Sequence, residues 1–130
     1  MLITVLVIIV AIWAIYTVGT MLYNRMTIKN YSTSLENIAF DAKMTGQQII
    51  DLRDPSAFRV KHIMGARNIQ AGLLKSSLDA IRKDKPIFLY DERGLQLAGA
   101  LRQLHKAGYN DVYTLKGGFT TWTGKTKSNA

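Results

Sequence analysis

The sequence predicts an α/β domain with a mainly parallel central sheet and helices on both faces, preceded by one transmembrane helix. Three observations carry that prediction. Leu2 to Tyr23 contains no charged residue, whereas the chain from Asn24 onward has the mixed composition of a soluble domain. Ile87-Phe88-Leu89-Tyr90 is apolar without alternation, the pattern of a strand buried on both faces. Beyond it Leu97, Ala98, Leu101, Leu104 and Ala107 recur at helical spacing, and strands that alternate with helices build parallel sheets.

The 22 uncharged residues from Leu2 to Tyr23 would span about 33 Å as a helix, against a hydrocarbon core of about 30 Å. In lipid every backbone N–H and C=O must bond within the segment, so helix overrides the weak propensity of the many Val and Ile residues. A cleaved signal peptide is the competing reading, but it calls for a basic start, a shorter apolar stretch and a small-residue cleavage site. Arg25 and Lys29 follow the span directly, which by the positive-inside rule places the domain in the cytoplasm, on a single-pass chain in the cell membrane. Tyr23 and Tyr31 are expected at headgroup level. The resulting division is an anchor at 1–24, a tether at 25–37, the domain at 38–124 and a flexible basic tail at 125–130.

Within the domain, Ile49, Ile50 and Leu52 mark a buried strand that ends in a polar loop, where Pro55 opens a helix. Ile63 to Ile69 reads as a turn and then a very short strand. Ser76 to Lys83 reads as a turn or two of amphipathic helix with Leu78 and Ile81 inward. After Ile87–Tyr90 a loop begins at Asp91, and Gly108 ends the helix that follows. Val112, Tyr113 and Leu115 make the last strand, and Gly117-Gly118 turn the chain into a short closing helix with Phe119 and Trp122. There are no internal repeats.

Composition excludes several functions. About a hundred residues remain after the anchor, room for one hydrophobic core. The net charge of +8 comes from scattered cations, Arg53, Arg59, Lys61, Arg67, Lys75, Arg93, Lys106 and Lys116 among them, with no nucleic-acid-binding signature. A basic face near anionic lipid is expected instead, and no nucleic acid. The chain has no cysteine, which excludes disulfides, thiolate nucleophiles, persulfides and thiolate-bound zinc. His62 and His105 are the only imidazoles and stand in no ligand spacing, so neither a metal nor a cofactor is expected.

Three stretches, in order, carry a family resemblance: I-I-D-L-R-D-P-S-A-F-R-V-K-H-I-M-G-A-R-N-I over Ile49–Ile69, the strand, loop and helix over Ile87–Leu104, and A-G-Y-N-D-V-Y-T-L-K-G-G-F-T-T-W over Ala107–Trp122. Together they resemble the rhodanese homology domain, across most of Ile38 to Thr123. The resemblance implies the rhodanese-like three-layer α/β fold. It also implies an active-site loop of six residues after the central strand, where family members carry sulfane sulfur on a cysteine. Here that loop is Asp91-Glu92-Arg93-Gly94-Leu95-Gln96. Asp91 stands where the cysteine would be, and Gln96 where many members place an arginine.

A carboxylate cannot carry labile sulfur, so no catalytic residue is expected. Two readings of Asp91 stay open. Its carboxylate takes the loop N–H groups that would serve a thiolate and blocks outside anions, or it is exposed and caps the next helix. Aspartyl-phosphate chemistry is a thinner possibility, because position 93 is Arg rather than a second acid. Asp51 and Arg53 are read as a structural ion pair, His62 as a hydrogen-bonded turn residue, and Gly65, Gly117 and Gly118 as turn positions. The expected function is a membrane-held binding or scaffold module, with lipid met through the first helix and a protein or small anion as partner. The alternative is a sulfurtransferase-family enzyme or phosphoryl-transfer relic that uses the inherited anion-binding loop.

Overall fold

A computed structural model describes residues 1–129. The sheet has five parallel strands: β1 (Thr33–Leu35), β2 (Gln48–Asp51), β4 (Arg67–Asn68), β5 (Ile87–Tyr90) and β6 (Val112–Leu115), in the order β1-β6-β5-β2-β4. β5 is flanked on both sides, pairing Ile87 with Gln48 and with Val112. Because side chains alternate along a strand, an apolar run feeds two cores. Ile50, Ile87, Leu89 and Val112 turn to one face, where helix α4 (Leu97–Lys106) lays Leu97, Ala100, Leu101 and Leu104 against them. Ile49, Phe88, Tyr90 and Leu115 turn to the other, under Phe40 and Met44 of helix α2 (Asn37–Met44). Each such side chain contributes roughly 1.5–3 kcal/mol by leaving water.

Several boundaries differ from the sequence expectation. Helix α1 runs unbroken from Leu2 to Tyr31, so the tether expected over 25–37 is not a linker. Its first part is helix, and Thr33–Leu35 is the edge strand β1, paired with Tyr113–Leu115. The physical cause is packing. Thr27 is buried against α4, Arg102 Nη1 donates to Thr27 Oγ1 at 3.2 Å and to Asn24 Oδ1 at 3.4 Å, and Ile28 and Tyr31 join the core. Tyr31, expected at headgroup level, stacks instead on His105 with ring centroids 3.9 Å apart. Upstream, residues 2–23 of α1 are bare of protein contacts that would bury them, and this is one helix long and apolar enough to cross a membrane.

Helix α3 (Pro55–Val60) begins at the expected proline. The stretch Ser76–Lys83 forms a 3-10 turn over Lys75–Ala80 rather than an α-helix, and Ile81 leaves it extended. The tail expected to be flexible carries β7 (Thr126–Lys127), which pairs antiparallel with β3 (His62–Ile63). Met64 N–H donates to the Lys125 carbonyl and Asn129 N–H to the Arg59 carbonyl, fastening it further. Ala130, the last residue of that expected tail, lies outside the described residues.

Candidate functional site

The loop Asp91–Gln96 leaves the carboxyl end of β5, the position where open parallel sheets place their ligands. Asp91 is 1% exposed, so the reading of it as an exposed cap is corrected. Its Oδ1 accepts from Gly94 N–H at 2.5 Å and its Oδ2 from Gln96 N–H at 2.7 Å. Gly94 lies at φ +92°, a backbone conformation that a side chain would disfavour. Burial pushes the Asp91 pKa above the ordinary carboxylate value, the two N–H bonds pull it down, and the net shift is upward. The carboxylate therefore fills the space that the loop N–H groups enclose.

Asp51 and Arg53 come together as one buried group. Arg53 Nη2 lies 2.9 Å from Asp51 Oδ2, its Nε donates to both carboxylate oxygens at 3.1 Å, and its backbone N–H donates to Oδ1 at 2.8 Å. The same guanidinium donates to Glu92 Oε2 at 3.1 Å and to the Lys61 carbonyl at 2.6 Å, and it lies 4.1 Å from the centre of the Phe119 ring. Burial works against its charge, but Asp51 and Glu92 more than offset this, and its pKa is raised. Arg53 thus ties β2, the loop and the closing turn together. Four of its five side-chain N–H donors are spent inside the protein.

His62 is buried, its ring stacked on Phe58 at 3.7 Å and its Nδ1 bonded to the Phe58 carbonyl at 2.7 Å. Both contacts are to Phe58 of α3, so its place is architectural. Gly65, at φ +92°, turns the chain between β3 and β4. Gly117 and Gly118 open the 3-10 turn Gly118–Thr121, and from it Phe119 N–H donates to the Asp91 carbonyl and Thr120 N–H to the Glu92 carbonyl. A Cβ on Gly118 would stand 2.5 Å from the Glu92 carbonyl oxygen, so only glycine lets this turn approach the loop.

Three site features had no sequence signal that would have pointed to them: the Glu92–Arg53 bond, the Gly118 approach, and the Tyr90 hydroxyl that accepts from Ile63 N–H at 3.1 Å. Burial and the neighbouring Asp51 charge raise the Tyr90 pKa strongly, so the phenol stays protonated. Outside the loop lies a cleft of about 400 Å³ lined by Arg53, Asp54, Ala57, Asp91, Glu92 and Arg93, with Leu95 and Gln96 at its rim. Among the described residues no group of three or more His, Asp or Glu side chains is placed to hold a metal ion.

Comparison with known proteins agrees with this architecture. The family profile described as "Rhodanese-like domain" matches residues 34–125. A Bacillus subtilis (strain 168) protein, YqhL, is 37% identical over 124 residues, covering 95% of this chain and 95% of its own. That coverage takes in most of α1. The thiosulfate sulfurtransferase GlpE of Pseudomonas aeruginosa is 35% identical over 77 residues, covering 59% of this chain and 70% of that protein. Among solved structures, the rhodanese-like domain of an Anabaena protein superposes with a TM-score of 0.67 at 26% identity, covering 75% of this chain and 80% of that one.

Proposed function

Because the chain belongs to the rhodanese-like family, we propose that it is a membrane-held member of that family which binds a partner and does not transfer sulfur. One observation carries this reading. The carboxylate of Asp91 is bonded into the loop by Gly94 and Gln96, in a chain without a single cysteine. The activity in the name of GlpE needs an atom that can accept and release sulfane sulfur, and a carboxylate oxygen forms no such persulfide. The apolar first helix supplies the membrane attachment, with the domain on the cytoplasmic side.

Between the two partner classes the geometry favours a protein over a small anion. Asp91, Glu92 and Asp54 line the cleft, and its buried cation, Arg53, is already neutralised by Asp51 and Glu92. An anion entering would meet three carboxylates, and of the two cations lining the cleft only the exposed Arg93 is, among the described residues, outside an ion pair. Phosphoryl transfer through Asp91 is disfavoured for a related reason, since both its oxygens already accept N–H bonds.

The full-length protein in detergent, assayed for thiosulfate-to-cyanide sulfur transfer, is expected to run at the rate of buffer alone. Turnover above that rate would overturn the reading. Asp91→Cys is expected to recover little, because Leu95 and Gln96 leave the closing positions of the loop without the cation that favours an anionic sulfur, and the loop's one cation, Arg93, is exposed. Crosslinking in intact membranes followed by capture of the full chain tests the binding role. A specific protein adduct that excess unlabelled chain competes away supports it, and adducts with lipid alone count against it.

A further inference from the structure

Residue pairs between α1 and α4 fix how the domain sits on its helix. Tyr31 stacks on His105, Thr27 and Asn24 take Arg102, and Tyr16, Thr17 and Thr20 line one groove with Arg93, Gly94 and Leu95. Later residues of α1 therefore meet later residues of α4, and the two helices run the same way. Since α4 starts at the carboxyl ends of the strands, the Asp91–Gln96 loop lies beside the uncharged part of α1. The groove between them is about 590 Å³ and reaches back to Tyr16. That is seven residues before the uncharged run ends, about 10 Å along the axis at ~1.5 Å per residue.

The loop tip has the chemistry for such a place. Leu95 is 82% exposed, the most exposed large apolar side chain among residues 32–129. Arg93 and Arg25 are exposed and, among the described residues, neither is in an ion pair. The nearest acid in the loop, Glu92, is held by Arg53. A free apolar side chain flanked by two free guanidiniums, beside a helix that is bare of protein, matches the boundary between acyl chains and phosphates.

We propose that this groove is a phospholipid site: Leu95 dips into the acyl region beside Tyr16 and Thr17, while Arg93 and Arg25 bind the phosphate of an anionic headgroup. The domain then rests on the bilayer with its loop face down, and the cleft beside Asp91 opens along the membrane surface. This rests on α1 spanning the membrane, as read above.

The absence of cysteine makes the test direct. Single variants Leu95→Cys and Asn110→Cys carry an environment-sensitive dye, position 110 lying in the turn between α4 and β6 at the opposite end of the sheet. Both full-length proteins are placed in nanodiscs of phosphatidylcholine alone or with phosphatidylglycerol, doped with a headgroup-quenching lipid. Most of the emission at 95 is expected to be lost and that at 110 kept, with a further blue shift at 95 when phosphatidylglycerol is present. Arg93→Gln is expected to abolish that further shift. Chain that does not co-elute with the discs overturns the membrane reading and this proposal with it. Co-elution with equal quenching at 95 and 110 overturns the proposal alone, and quenching at 95 indifferent to phosphatidylglycerol overturns the anionic headgroup.

Discussion

Two backbone N–H groups hold the Asp91 carboxylate, yet burial outweighs them and its pKa stands above the ordinary value of about 3.9. Between those two values the folded chain binds a proton that the unfolded chain has released. Stability is therefore greatest below that window and falls as pH rises through the raised folded value. Melting temperatures followed across the acid range should show this fall in the native protein and lose it in Asp91→Asn. Asp84, whose pKa its Arg82 hydrogen bond lowers, titrates with the opposite sign in both proteins and cancels from the difference. The amide introduced by Asp91→Asn offers one acceptor oxygen to two N–H donors, so the variant should also be destabilised by roughly 1–3 kcal/mol at all pH values. An unchanged pH slope would mean that Asp91 does not titrate inside the loop. Gly118 is the second residue-scale case. Gly118→Ala adds both left-handed strain, about 1–2 kcal/mol, and a Cβ 2.5 Å from the Glu92 carbonyl oxygen, whereas Gly46→Ala, at a similar φ of +79° with nothing within 4 Å, adds the strain alone. Gly118→Ala should melt well below Gly46→Ala, at about 4–8 °C per kcal/mol. Equal melting would remove the loop-to-turn contact from the account.

What the elements could announce in advance depended on how much of each is buried. β5 and α4 were legible because one is apolar at every position and the other places Leu97, Leu101 and Leu104 on one stripe. α2 was missed because only Phe40 and Met44 of its eight residues are buried and no side chain caps it. β1 is a three-residue polar edge whose hydrogen bonds come from β6, and β7 is two residues long. Such strands exist through their partners, which no local pattern encodes. The site divides the same way: the position of Asp91 came from motif order, while the N–H groups that hold it come from the loop's three-dimensional course. The largest miss, the end of α1, can be tested by truncation. A chain beginning at Tyr23 keeps Thr27, Ile28 and Tyr31, and one beginning at Thr33 loses all three. The first should retain its stability, and the second should lose about 2 kcal/mol or more from the apolar surface uncovered on α4. Equal melting of the two would return residues 24–31 to the status of a linker.

At the scale of the whole molecule, the consequence of an unbroken α1 is geometric. A flexible tether of the kind expected over 25–37 would let the domain take many orientations relative to its anchor. A helix that leaves the uncharged segment and packs directly on α4 allows one, because turning the domain would break the Arg102 bonds to Thr27 and Asn24 and the Tyr31–His105 stack together. The last of these also sets the twist, since a helix turns about 100° per residue and only one face of α1 carries Asn24, Thr27, Ile28 and Tyr31. The cysteine-free sequence again permits a clean measurement. Spin labels at Trp13→Cys, in the uncharged segment, and Asn110→Cys, at the far end of the domain, report the separation by pulsed dipolar spectroscopy on the full chain in nanodiscs. One narrow distance peak is expected. Arg102→Ala should broaden it without unfolding the domain, because Arg102 joins α1 to α4 and contributes nothing to the sheet. A broad distribution in the native sequence would show that the packing of α1 on α4 does not hold in the membrane, and the loop would then have no fixed position above the bilayer.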